Sequence, residues 1–209
     1  MTQILQAKNM TLAELEKLFQ VQFVESEEFF REWQENLPEI TDWQKQLLDR
    51  VKAGYFNLIK KPPLLEKPIN LTIVSPLLFI GEFYLSPFDL KTEKSVEILV
   101  ENENTVIKGS LDTLVLQEQF WVMVIESKRA ELSLEAGLAQ ILTYMIANPH
   151  PEKPCYGLIS TGGSFTFIKL VKDGNWKYAN SKVFELRNPG NDLHQVLQIL
   201  KQLSQLALN

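Results

Sequence analysis

TVIKGSLDTLVLQEQFWVMVIESK, residues 105–128, reads as two β-strands, the second of which ends in charge. Both runs are dense in branched and aromatic apolar residues, at lengths that suit strands rather than helices. The second, FWVMVIESK at 120–128, is apolar on both faces until Glu126 and Lys128. Removing a carboxylate or an ammonium from water costs several kcal/mol unless the charge is paired or bound to a metal. The first run carries Asp112 in its middle, fourteen residues before Glu126. Two acids and a lysine on one sheet make a candidate hydrolytic metal site.

Register decides whether these groups meet. With Glu118, Gln119 and Phe120 as a three-residue connection, Gln117 pairs with Trp121 and Asp112 lies directly opposite Glu126. Opposed residues share a face, with Cβ atoms about 5 Å apart. Lys128, two residues beyond Glu126, shares it too. An even spacing requires an odd-length turn or a bulge; a plain two-residue turn sends the acids to opposite faces. Two carboxylates at that range repel unless a cation sits between them. All-oxygen donors suit Mg²⁺ or Mn²⁺. Such an ion polarises a phosphoryl oxygen and lowers the pKa of a bound water. Lys128 is placed to orient that water or to stabilise charge in the transition state. The acid-x-Lys spelling is uninformative by itself, since Asp89-Leu90-Lys91 repeats it. Position at the end of an apolar strand, with Asp112 as partner, gives it meaning.

Working outward, KTEKSVEILVENE at 91–103 precedes these two runs as a further strand. A helix over about Ser133 to Ala147 follows them and stops at Asn148-Pro149. On that helix Gln140 and Tyr144 are four apart and share a face. Two readings stand: both face the site, or Tyr144 caps the core while Gln140 faces water. CYGLIST, SFTFIKLVK and WKYANSKVFEL read as three more strands, turned at Gly162-Gly163 and at Asp173-Gly174-Asn175. The last helix, about Asp192 to Ala207, carries Leu193, Val196, Leu197, Leu200 and Leu203 on one stripe. Strands that are apolar on both faces predict helices on both sides of the sheet.

The first forty residues read as helical. Thr11 with Glu14 is a capping-box pattern, and a second stretch holds Phe29, Phe30 and Trp33. Thr41 with Gln44 repeats the cap ahead of a helix through Leu58. INLTIVSPLLFIGEFYL, from Ile69, leans to helix.

The chain has 209 residues, 45% hydrophobic and 22% charged, which suits one well-cored domain with an extension. There is no apolar stretch of a secretory leader at the start and no run near the ~20 residues that span a bilayer. One cysteine, Cys155, and two histidines give neither an internal disulfide nor a zinc cluster. A cytoplasmic setting and no membrane partner are expected. The net charge of −5 counts against indiscriminate attraction to phosphate while leaving room for a local basic rim.

GSLD at 109–112, ESK at 126–128 and QILTY at 140–144 together resemble the PD-(D/E)XK nuclease superfamily, closest to its RecB-type G-x-x-D, E-x-K and Q-x-x-x-Y spelling. The resemblance implies an α/β (α+β) fold: a restriction endonuclease-like core with a central mixed sheet flanked by helices. Residues 1–209 would then be a single domain, with 1–40 a helical extension, 41–170 the core, and 171–209 an added strand and C-terminal helix. It implies metal-dependent phosphodiester hydrolysis in nucleic acid, DNA ahead of RNA. Asp112, Glu126 and the Ser127 carbonyl would hold Mg²⁺ or Mn²⁺, Lys128 would assist the water, and Gln140 and Tyr144 would support the site. The family often adds an acid from its first core helix. Asp49 is the best-placed candidate, with Glu97 on the first strand as another. Leu111 stands where the family's name-giving proline would be. Two other readings remain beside the nuclease: a catalytically silent member of the fold that binds nucleic acid or assembles a complex, and a structural ion pair at a strand end. The stripe on the last helix suits a homodimer contact as well as packing onto its own sheet.

Overall fold

The computed structural model describes residues 3–61, 65–100, 105–117, 120–127 and 134–207. Among these the chain forms a mixed α/β structure around a nine-stranded mixed sheet. The first strand, β1 (Gln3–Gln6), is followed by helix α1 (Leu12–Phe19), β2 (Gln22–Phe23) and helix α2 (Asp42–Leu58). Helices α3 (Glu66–Ile69) and α4 (Ser75–Ile80) come next, joined by π-helical residues Asn70–Val74. The long strands β3 (Asp89–Val100) and β4 (Thr105–Gln117) lead to β5 (Phe120–Ser127), helix α5 (Leu134–Ile146) and β6 (Cys155–Ser160). Strands β7 (Ser164–Asp173), β8 (Asn175–Asn180) and β9 (Phe184–Glu185) and helix α6 (Leu193–Leu206) complete the chain.

The sheet runs β1-β4-β5-β6-β7-β8-β2, with β3 along β4 and β9 along β7. Antiparallel hairpins build most of it, and β5–β6 is parallel because α5 forms the crossover. Both capping boxes form: Thr11 with Glu14 opens α1, and Thr41 with Gln44 opens α2. The buried Gln44 amide also donates to the Ile80 carbonyl at 2.9 Å, tying α2 to the end of α4.

Two apolar layers flank the sheet. On one side α2, α3, α4 and α6 pack on Val115, Met123, Ile125, Leu158 and Phe167. On the other, α5 and α1 pack on Leu114, Leu116, Val124, Ile159 and Ile168. The stripe expected on α6 is buried in the first layer, through Leu193, Val196, Leu197, Leu200 and Leu203. That face therefore packs on its own sheet.

The N-terminal segment differs from the helical extension expected over 1–40. It contributes two strands, β1 and β2, and a 3₁₀ turn at Glu27–Phe30 where a second helix was expected. The cause is an open sheet edge. Strand β5 pairs with β4 only over Thr113–Gln117, so the other half of that side of β4 is left for β1, which pairs at Thr105–Lys108 in parallel. Short segments take the conformation that satisfies their backbone groups, and a vacant edge outweighs local helix propensity. No helix among the described residues is long and apolar enough to cross a membrane.

Candidate active site

The β4–β5 hairpin reaches the useful register by a different route from the three-residue connection. Gln117 pairs with Phe120 and Leu116 with Trp121, so only residues 118 and 119 connect the strands. The register then shifts: Val115 pairs with Met123, Leu114 with Val124, Thr113 with Ile125. Val122 is the extra residue of a β-bulge. The shift changes the phase of the strand by one residue, which makes Asp112 and Glu126 the next opposed positions beyond the ladder. The ladder stops at Thr113–Ile125. Asp112 and Glu126 are the next residues on the two strands, and from there β5 continues with β6 through Glu126–Ile159 and Ser127–Ser160.

Glu126 is 2% exposed. Its Oε1 accepts a hydrogen bond from the Gln140 side-chain amide at 2.7 Å. The same Nε2 donates to the Tyr144 hydroxyl at 2.9 Å. Both amide hydrogens are thereby committed, and the two α5 residues form one relay behind the carboxylate. The reading in which Gln140 faces water does not hold, because its side chain lies inward, 8% exposed. Burial pushes the Tyr144 phenol up to about 12, and the negative charge of Glu126 adds to the push. Asp112 adds a smaller push in the same direction, and hydrogen bonds from Gln140 and the Ser110 backbone work against it. The phenol thus senses both acids, Glu126 more strongly than Asp112.

Gly109 explains how Tyr144 gets so close. A Cβ there would lie 2.6 Å from the Tyr144 ring and 2.7 Å from the Ala7 Cβ. Between the β1 and β5 ladders, residues 109–112 of β4 have no strand beside them on that side among the described residues. Tyr144 and Gln140 stand over this split, and an open cleft of about 810 Å³ lies against them.

A further acid, Glu93, stands in the neighbouring strand, though it does not cluster with Asp112 and Glu126 closely enough to hold an ion. The β3–β4 ladder pairs Thr92 with Thr113 and Lys94 with Leu111, which places Glu93 across from Asp112. Its φ is +52°, a left-handed conformation that costs a residue with a Cβ about 1–2 kcal/mol. Alternation breaks at the same point, since Leu111 and Leu114, three apart, both face α5. The signal available was an acid in the strand beside Asp112; the backbone break itself has no spelling.

The remaining expected residues divide. Glu97 lines the same cleft and pairs with Lys108 at 3.2 Å. Asp49 is elsewhere: its Oδ1 accepts from the Asn191 amide at 2.9 Å and faces the His194 ring at 3.1 Å, at the contact of α2 with α6. Those helices cover the other face of the sheet. The expectation that Asp49 joins the site is corrected accordingly. Lys128 lies outside the described residues. Among the described residues no three acidic, histidine or cysteine groups cluster closely enough to hold an ion by themselves. No family model matches the chain, and none of the curated proteins matches it.

Proposed function

We propose that the protein is a metal-dependent nuclease with a restriction endonuclease-like core, hydrolysing phosphodiester bonds in DNA. The observation that carries the reading is the buried Glu126 carboxylate, held by Gln140 and Tyr144 next to Asp112 where two strands part. A buried carboxylate is costly unless hydrogen bonds or a cation meet its oxygens, and the side chain of Gln140 is given over to that task here. The order α2, then α3 and α4, β3–β4–β5, α5, β6 supports the same reading, as does the meeting of Gly109, Glu126, Gln140 and Tyr144 from the three motifs.

The donor set fits a hard divalent ion. Asp112 and Glu126 offer oxygen, and the Ser127 carbonyl is the next acceptor along β5. When bound, the ion would supply Lewis acidity and an acidified water. The protein's own part is positional. Gln140 fixes the Glu126 carboxylate, since partners behind a metal ligand govern its orientation. Tyr144, a neutral phenol up to strongly alkaline pH, anchors Gln140. The role of general positioning of water, or of charge stabilisation, falls to Lys128.

Incubation of the purified protein with linear, circular and single-stranded DNA in Mg²⁺ or Mn²⁺ tests this directly. Cleavage is expected, and Lys128→Ala should reduce it about a hundredfold or more, the usual loss of a group acting on transition-state charge. Intact DNA in every form, or equal cutting by Lys128→Ala, contradicts the proposal. The absence of a third clustered acid among the described residues favours the second reading, a silent binding or assembly subunit. DNA binding without metal uptake would select it.

A further inference from the structure

The cleft beside Gln140 and Tyr144 has one wall from edge strand β3, at Ser95 and Glu97, and another from the N-terminal segment, at Gln6 and Lys8. The β1–β4 ladder, and Ala7 seated against Gly109, hold that segment in place. The chain is acidic, net −5, yet Lys8 and Lys108 both line this cleft, against Glu97 as the one acid among its described lining residues. Lys108 is 46% exposed, and its pairing with Glu97 is a surface ion pair, worth at most about 1 kcal/mol and easily exchanged. Tyr144 is the only ring among the described lining residues, and it is buried too deeply to stack on a base.

We infer that this cleft is a phosphate-backbone subsite, in which Lys8 and Lys108 each neutralise a phosphate of the polynucleotide strand next to the one being cut. The inference rests on the nuclease reading and adds to it a binding mode. Contacts go to phosphates rather than base edges, so the strand is held without regard to sequence. On binding, Lys108 exchanges Glu97 for phosphate, and Glu97 is then a repulsive neighbour that weakens the grip.

Fluorescence anisotropy with labelled DNA of two unrelated sequences, in Ca²⁺ and over a salt series, tests the inference. The proteins are the parent, Lys8→Ala, Lys108→Ala, Glu97→Gln and, as a control on the opposite layer, Lys45→Ala. Each of the two cleft lysine changes should lower the slope of log K against log salt by about one, equally on both sequences. Glu97→Gln should tighten binding, which a merely structural role would not produce. Lys45→Ala should match the parent. Parental slopes in both Lys8→Ala and Lys108→Ala, or a loss confined to one sequence, overturn the inference. If the parent cleaves DNA while those slopes stay parental, this inference alone falls. If the parent neither binds nor cleaves, the nuclease reading falls and takes the inference with it.

Discussion

Gly109 is the residue on which the site's packing turns. The space its side chain would fill is already taken from two directions, by Tyr144 of α5 and Ala7 of the N-terminal segment. Replacement by alanine must move one of them, and overpacking of this kind costs about 1–3 kcal/mol. A urea titration of Gly109→Ala should show that loss, and a parental midpoint would mean the ring yields freely. The glycine of the GSLD motif thus has a packing reason. Glu126 needs donors because it is buried; Gln140 supplies one and is itself oriented by Tyr144.

At the scale of elements, the site exists because two strands break their regular pattern. The bulge at Val122 on β5 makes Glu126 the next position opposite Asp112, and the break at Glu93 on β3 accompanies the change of face in β4 between Leu111 and Leu114. Glu93→Gly should relieve the left-handed strain and raise stability by about 1 kcal/mol in denaturant. A loss of stability instead would mean the glutamate side chain secures the break. Much of this was legible beforehand. The apolar runs of β4, β5 and β6 announce strands, the Thr41–Gln44 box announces α2, and the even spacing of Asp112 and Glu126 demanded an odd turn or a bulge. What could not be read was which of the two. A bulge changes phase without changing composition, so QEQFWVMV reads equally as a longer turn or a shorter one with an extra residue. The N-terminal strands were hidden for another reason: β1 is four residues long, and its partner lies about a hundred residues away at an edge that only the assembled sheet leaves open. Asp49 was a candidate only through the resemblance, which points to a helix and not to the layer that the helix covers.

For the whole molecule, burial of weak acids sets an alkaline limit. The Cys155 thiol is pushed up to about 12 by burial, the Tyr144 phenol to about 12, and Tyr156 is raised as well, by burial first and the Glu32 charge second. In the unfolded chain these groups ionise near their ordinary values, about 8.5 for a thiol and 10 for a phenol. Above those values the unfolded state binds fewer protons than the folded one, so stability falls as pH rises toward about 12 and is intact below about 8. Denaturant midpoints measured at increasing pH should decline across that window; a flat profile would contradict the burial of all three. On the proposed nuclease reading, the two layers and the sheet between them hold one small constellation at the split in β4 for a cation. A calorimetric titration of Mn²⁺ into the parent and into Glu126→Gln, which keeps the shape and removes the charge, tests that role most directly. One binding event in the parent that vanishes in the folded variant is the predicted result; no heat in the parent at millimolar Mn²⁺, or the same isotherm in both proteins, would contradict it.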